Sequence, residues 1–561
     1  MKRTLKSVVK KLLGSSPQQL VTIDTVAKTL DGYCVIGWYF TDLVSSVKVT
    51  DSNNQTVDAI TDDIERADVA AVTGKQATGF QILLTTKVTL DELTLVATLK
   101  NGQSQTYALS SANVEASQLA APIKSTTKGQ NCNGACEFAV VTGTHVFVSG
   151  WLTDTRRATS LALNKKSNAV TESDYDIFRF MRNDVVEAYG KGPHTSAAGY
   201  CILFTLDKKL DKNEKQLNLV FTIDGNEEEM SVNQVFWGAD EPMTNTKRIL
   251  NNWAPSNPAH LAKADIVSTP VLELYANTAK ATSVRYDFGE QVQTPKASII
   301  IPLYGRYDFI RYQMSHFNRS GEARQCEIIY VIDDPSIASP AMQLARYMAQ
   351  MVSHPFSVVK LSDNVGFGRA NNIGVEHARA DNLILMNSDV LPKSVGWLDK
   401  MLSSLDAPDT GIVGARLLFE DGSIQHDGMA PVRLQEYPGL LFNDHPYKGW
   451  AVKLSPHAAE EAPCQLITAA CWALRKADFE AAGGFDPAYV LGDFEDSDLC
   501  LKIEEMGKTN KIRRDAEFYH LERQSQNLVE AGKWKHNLTI VNAVTFNKRW
   551  KQKLEAMQAA G

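Results

Sequence analysis

Ten residues, LGDFEDSDLC (491–500), pose the question that the rest of the chain has to answer. Asp493, Glu495, Asp496 and Asp498, with Asp486 just upstream in GGFD, crowd five carboxyls beside the apolar Phe494, Leu499 and Cys500. A solvated acidic surface has no use for apolar neighbours, whereas an acid–base or metal site does. The stretch reads as the opening of an amphipathic helix through Leu499, Leu501 and Ile503, after a turn at Gly483-Gly484. Glu495 and Asp496 fall at its start, where the helix dipole favours a carboxylate on structural grounds alone. Capping needs one acid, and three stand within four residues. A pair with divided duties, one base and one orienting or acceptor-binding group, accounts for the surplus.

Two further groups of acids follow apolar runs. EIIYVIDD ends at Asp333 and Asp334, and LILMNSD ends at Asp389, with Asn387 and Ser388 before it. A carboxylate just past the C-terminal end of a strand stands where ligands bind in an α/β sheet. Asp333 or Asp334 could accept from a nucleobase N–H, and Asp389 could ligate a hard divalent cation that bridges to phosphates. Each could equally cap the next helix, but two in one α/β domain favour function. His520, after IRRDAEFYH, is a candidate metal ligand or phosphate contact.

The elements that would position these residues begin at Lys296. ASIIIPLY, CEIIYVIDD, SVVKL and NLILMNSDV are buried-strand runs, and RYDFIRYQMSHF, PAMQLARYMAQM and GRANNIGVEHAR between them have helical spacing. Such alternation predicts a mostly parallel sheet with helices on both faces. The first half of the chain differs and contains a repeat. Gly37-Trp38 matches Gly150-Trp151, Arg66/Asp68 matches Arg182/Asp184, and Gly79-Phe80 matches Gly199-Tyr200, in one order. The short alternating runs of each copy predict two small β-sandwiches. The repeated Arg-x-Asp is expected as a structural ion pair or turn.

The length of 561 residues predicts about three domains, and 44% hydrophobic with 22% charged residues is ordinary for globular proteins. A net charge of −7 argues against nucleic-acid binding. The eight cysteines are scattered, which favours free thiols in a reducing compartment. Lys2, Arg3, Lys6, Lys10 and Lys11 make a basic N-terminal helix or tail that could touch an anionic membrane surface. No run approaches the length of a membrane span.

SIIIPLYGR, EIIYVIDD, NVGFGRANNIGVEHARADNLILMNSDVLP, GARLLFEDGSIQHDGM and TAACWALRKADFEAAGGFDPAYVLGDFEDSDLCLKI follow one another in that order. Together they resemble the family-2 glycosyltransferases, nearest to a bacterial rhamnosyltransferase-like branch, over about residues 295–525. The resemblance implies a GT-A fold, a Rossmann-like nucleotide half fused to an acceptor half. It implies inverting transfer of a sugar from a nucleoside-diphosphate donor, dTDP-rhamnose or a UDP-sugar, to a glycan or lipid-linked glycan acceptor, with Mg2+ or Mn2+. By the same resemblance Pro302 and Tyr304 lie beside base and ribose, and Asp333 or Asp334 meets the nucleobase. Asn364, Gly366 and Asn371 line the donor loop, with Asn387 and Ser388 beside it. Asp389 ends the metal motif, His520 is its distant partner, and Asp496 is the base of the Glu495–Asp496 pair. Trp472, His426 and Asp498 are assigned to the acceptor side, although core packing suits Trp472 better. Asn387 stands where the family's metal motif has Asp, and Gly305 where Asn is common.

The expected layout is a basic tail (1–20), two β-sandwich modules (21–122 and 123–235), a linker with some helix (236–294), the GT-A domain (295–530) and a C-terminal helix (531–561). The expected role is surface polysaccharide synthesis in the bacterial cytoplasm, at or near the inner face of the membrane. The alternative is a glycan-binding or scaffold protein with a degenerate transferase domain.

Overall fold

The strand Glu327–Ile332 is buried at every position, the pattern of a strand covered on both faces. In the computed structural model it lies between Ser298–Leu303 and Phe356–Leu361 and parallel to both. Asn382–Met386 continues the parallel set beyond Ser298–Leu303. Numbered along the chain, the four strands run 3-2-1-4 across the sheet, the order of a Rossmann-like half. The sheet then continues through Cys471–Arg475, Thr410–Leu418, Thr509–His520 and Val390–Pro392 with mixed pairing. A nucleotide-type half is thus fused to a mixed half, as the GT-A expectation requires.

The structure describes residues 20–57, 59–65, 69–70, 74–109, 132–154, 158–165, 168–169, 175–189, 197–212, 216–223, 225–276, 281–457, 459–521 and 532–560. The expected basic helix, the repeat residues Arg66 and Asp68 and the 122/123 boundary lie outside them. Two compact units divide the chain, Met1–Pro270 and Val271–Gly561. Residues 236–294, expected as a linker, carry the helices Pro242–Asn251, Pro258–Ala262 and Asp265–Ala276 and the strand Ser283–Phe288. That strand pairs antiparallel with Phe356–Leu361 at the sheet edge. None of its six residues is buried, so it has no apolar run to announce it. The helix Lys533–Ala560, expected as a separate tail, belongs to the second unit, where Ile540, Val541 and Phe546 are buried.

In the first unit, Val21–Thr29, Gly32–Phe40, Ala77–Thr85 and Ala59–Glu65 form one sheet in that order, and Val44–Thr50, Thr94–Leu99 and Ser104–Ala108 form another. Val35, Phe80 and Ile82 from the first share a core with Val49, Leu95 and Ala97 from the second. Gly134–Thr142, His145–Leu152, Gly199–Thr205 and Tyr175–Phe180 repeat the first order. Ala158–Lys165, Asn218–Ile223 and the first half of Asn226–Trp237 repeat the second. The other half of that last strand crosses to pair with Gly134–Thr142. The repeated glycines have a steric cause. Gly37 pairs with Phe80 and Gly150 with Tyr200, and a Cβ at either would stand 2.6 Å from the facing ring. Arg182 holds Asp184 at 2.7 Å and Glu137 at 2.8 Å. Between the two halves of this unit, Arg179 grips Asp31 with two bonds of 2.6 and 2.7 Å, both side chains buried. Burial alone would raise the Asp31 carboxyl, but the guanidinium outweighs it and holds it below its ordinary value. Among the described residues no helix is long and apolar enough to cross a membrane.

Candidate active site

The four parallel strands end on one side and open into a cleft of about 490 Å3. Pro302 lies at the end of the first strand and Tyr304 just past it; Asp333 follows the second, Asn364 and Gly366 the third, and Asn387, Ser388 and Asp389 the fourth. All of them line the cleft, together with Glu495, Asp496 and His520.

Asp333 is buried, and its two oxygens accept the Val365 and Gly366 N–H groups at 2.7 and 2.9 Å. Burial pushes its carboxyl up to about 7, against the pull of those N–H groups. Asp334 does not line the cleft. It caps the turn Pro335–Ile337 through Ser336 and accepts the Gly305 N–H at 3.2 Å, so for this residue the capping alternative holds. Gly305 sits at φ 68°, a region open to Gly and to Asn, so Gly in place of the usual Asn leaves the turn unstrained. Gly366, at φ 81°, lets the donor loop press on the acidic loop. A Cβ there would stand 2.5 Å from Leu491 Cα and 2.7 Å from Tyr275 Oη. The next residue, Phe367, donates its N–H to Leu491 O at 2.7 Å.

The register that sets Val390 opposite His520 brings His520 Nε2 to 3.3 Å from Asp389 Oδ1. Gln425 Nε2 donates to His520 O at 3.0 Å, so its Oε1 is the atom that meets His520 Nδ1 at 2.6 Å. Nδ1 therefore carries a proton as donor, which leaves Nε2 to face the Asp389 carboxylate. A ring nitrogen and a carboxylate so placed need a proton or a cation between them. Asn387 Oδ1, in the same cleft, is buried without a hydrogen-bond partner. This donor set of two oxygens and an imidazole nitrogen, its ring fixed by an outer hydrogen bond, fits a divalent cation. No third His, Cys, Asp or Glu joins them among the described residues, so remaining ligands would come from the substrate and water.

Glu495 and Asp496 open the helix Glu495–Glu505. Glu495 is buried, with Oε2 unpartnered. Burial, then repulsion from Asp496 and Asp493, holds its carboxyl well above the ordinary value. Asp496 is partly exposed to the cleft. Its Oδ1 accepts Ser497 N–H at 2.7 Å and its Oδ2 accepts Ala469 N–H at 3.4 Å. Burial raises it to about 6. At neutral pH Glu495 thus keeps its proton while Asp496 is ionised and can accept one. The loop before them is strained. Leu491, Asp493 and Phe494 have φ of 63°, 77° and 72°, at about 1–3 kcal/mol each for non-glycine residues.

Besides Asp334, four assigned residues lie off the cleft. Asp498 is fully buried and bonds Tyr489 Oη, Arg549 and Trp550 Nε1 at 2.6–3.0 Å. It is two residues past Asp496, which on a helix is the opposite side. Trp472 is buried and stacks on Phe485. Asn371 is buried, its Nδ2 bonding Phe367 O within its own helix. His426 is buried behind His520, its Nδ1 3.0 Å from His445 Nδ1. Burial, then the two neighbouring histidines, holds it well below the ordinary value, so it is neutral.

Residues 298–449 match the family model described as Glycosyl transferase family 2. The second unit carries a family-2 glycosyltransferase domain. An uncharacterized protein, y4gI, of Sinorhizobium fredii is 30% identical over 42% of this chain and 25% of its own length. The O-antigen biosynthesis protein RfbC of Myxococcus xanthus is 26% identical over 43% and 19%. The chain therefore spans about a quarter or less of the length of these curated relatives. A structure of GalNAc-T7 with UDP, GalNAc and Mn2+ aligns over 46% of this chain and 50% of its own at 15% identity and a TM-score of 0.35, too distant to carry argument.

The family match ends before the acid pair and His520, so their place in the cleft rests on geometry. That geometry adds residues the sequence did not mark. Trp534, Lys535 and Leu538 of the C-terminal helix line the cleft. Tyr275 lies against the donor loop with its ring 3.8 Å from the Arg369 guanidinium. The one sequence sign of the helix's role is Asn537, Asn542 and Asn547 set in an apolar run.

Proposed function

We propose that the second unit transfers a glycosyl group from a nucleoside-diphosphate sugar to a hydroxyl of a glycan acceptor, with inversion, in the synthesis of a surface polysaccharide. The observation that carries this is one cleft holding two halves of a displacement. On one side stands the Asp389–His520 pair with unpartnered Asn387 Oδ1, and on the other the ionised Asp496. RfbC, by its name a protein of O-antigen biosynthesis, supports the polysaccharide context.

The base and ribose would lie along Pro302 and Tyr304. Asp333 keeps a lone pair on each oxygen for a nucleobase N–H, while its bonds to Val365 and Gly366 hold the donor loop. Asp496 takes the proton of the acceptor hydroxyl as its oxygen bonds the anomeric carbon. The bond from that carbon to the diphosphate oxygen breaks on the opposite face, and the diphosphate leaves with the electron pair. Glu495, protonated, adds no second charge beside the base. A Mg2+ or Mn2+ held by Asp389, His520 and Asn387 would offset the charge on the leaving diphosphate. The two parts of the first unit, with the same strand orders and the same glycine–aromatic pairs, are taken as two copies of one β-sandwich.

Calorimetric titration of UDP, dTDP, GDP and CMP into wild type and Asp389→Ala, with and without Mn2+, tests the donor site. Metal-dependent binding of one nucleotide, lost in the variant, is expected. No binding of any of them would overturn the assignment in favour of a degenerate, glycan-binding domain.

A further inference from the structure

Of the five non-glycine residues with positive φ among the described residues, three fall within the four positions 491–494, directly before the acid pair. Phe494, at the N-cap position of the helix, offers no side-chain cap. A turn of this kind does not hold itself, so the surrounding structure must over-determine it.

The C-terminal helix does so. Asn542 is completely buried. Its Oδ1 accepts the Val490 N–H at 3.0 Å, and its Nδ2 donates to Val490 O at 3.1 Å and to Gly492 O at 2.5 Å. Both amide hydrogens and the carbonyl oxygen are used, and one N–H against two C=O groups permits only one orientation of the amide. Three residues earlier, Thr539 Oγ1 donates to Asp493 Oδ2 at 2.7 Å. Four residues later, Phe546 packs on Phe494, ring centroids 5.3 Å apart. Positions 539, 542 and 546 share one face of the helix, and that face touches the strained turn at successive points. The flanking Ile540, Val541, Ala543 and Val544 are buried and apolar. A buried amide among them gains nothing over a leucine unless its bonds fix something.

We propose that Asn542 is a positioning residue of the transferase: it locks Val490 and Gly492 so that the 491–494 turn presents Asp496 to the acceptor hydroxyl. The proposal rests on the transferase activity proposed above. A misplacement of about 1 Å at a reacting group costs roughly 10²-fold in rate, which sets the expected effect.

Asn547 supplies a matched control. It makes the same two-bond contact on the same helix, with Leu441 N–H and O at 2.8 Å each, and bonds no backbone atom of the turn, which the neighbouring Phe442 meets only as a ring 6.1 Å from that of Phe494. The variants are Asn542→Ala, Asn547→Ala and Thr539→Val. The last keeps shape, removes one partly exposed bond, and serves if Asn542→Ala does not fold. Turnover is assayed with the UDP-, dTDP- or GDP-linked hexose that the wild type consumes, and amide exchange is followed across 488–497. Asn542→Ala is expected to lower kcat about 10²-fold with donor KM within about threefold. It should also move the acid limb of the pH profile and speed exchange at 490–496. Thr539→Val should do the same more weakly, and Asn547→Ala should lower Tm while kcat and the pH profile stay as in wild type. Equal kcat losses in the two alanine variants, or an unchanged pH profile in Asn542→Ala or Thr539→Val, would overturn it as a merely structural contact. Wild type inert toward every donor defeats the transferase assignment and the catalytic sense of the proposal with it. The exchange data then decide the clamp alone, and unchanged exchange at 490–496 refutes that too.

Discussion

Replacing Asp496 by Asn should make the protein inactive and more stable at once. In the wild type the carboxyl is raised from 3.8 to about 6, mainly by burial, which at 1.36 kcal/mol per pKa unit is a penalty of roughly 3 kcal/mol when it is ionised. Asn removes the charge but has a single acceptor oxygen. The wild-type carboxylate serves Ser497 N–H with one oxygen and Ala469 N–H with the other, and also accepts the Thr468 hydroxyl; that hydroxyl can turn to accept from the new amide, so the Ala469 bond is the one lost, at about 1 kcal/mol. The net gain is about 2 kcal/mol at pH 8, and Tm should rise by about 3 °C for a unit of this size. The pH dependence fixes the cause. A carboxyl whose folded value is raised binds its proton more tightly in the folded state, so stability falls as pH climbs from about 4 to about 6. The advantage of Asp496→Asn is therefore full above pH 6 and about half a kcal/mol by pH 5. Turnover should fall about 10²–10⁴-fold, with nucleoside-diphosphate binding kept. Calorimetric unfolding at pH 5 and pH 8 with a donor-consumption assay measures all of it. A Tm difference of the same size at both pH values would refute the burial argument, and retained turnover would refute the base.

Gly366→Ala should abolish nucleotide binding, because its Cβ meets backbone atoms of Leu491 at 2.5–2.8 Å and φ is 81°; calorimetric affinity within threefold of wild type would contradict the loop geometry. Arg179→Met should lower the unfolding temperature of the first unit, since it strands the buried Asp31 carboxylate at about 3–5 kcal/mol. Because that carboxyl lies below its ordinary value in the folded state, its contribution is present above about pH 4 and lost as pH falls further. The variant and wild type should therefore converge in acid, and a gap that persists there would count against the pair.

What the sequence shows of this site follows from what each period can carry. A strand buried on both faces must be an unbroken apolar run, so the first polar residue after it marks the sheet's C-terminal edge. Asp333, Asn387 and Asp389 were placed in the cleft by that rule. The same rule cannot separate Asp333 from Asp334, because which of them turns inward depends on the Ser336 cap. Helical period settles Asp498: at about 200° from Asp496 it stands on the side of the helix away from the cleft. Strand alternation likewise put Gln425, and not His426, against His520. The edge strand Ser283–Phe288 has no sequence sign of its own, and the asparagines spaced through the apolar run of the last helix mark Asn542 without showing what it holds. The strand buries almost nothing, and the asparagine's partners are backbone atoms, which every sequence has.

The left-handed run 491–494, the close approach of His520 to Asp389 and the press of the 364–366 loop on Leu491 all depend on placement around one cleft. None would survive as a local minimum of its own segment. Each is held from a distance: the run by Asn542 about 50 residues on, His520 by Gln425 from 95 residues before, the donor loop by Tyr275 through Val365 O. Chemistry that destabilises its own segment must be secured by contacts remote in sequence, where local propensity has no say. That is why the transferase motifs alone, matched over 298–449, do not make the site. The strained turn and the helix that holds it both lie beyond that match, and a domain cut at its end would keep the cleft residues of the first four strands while losing Asp496, the proposed base.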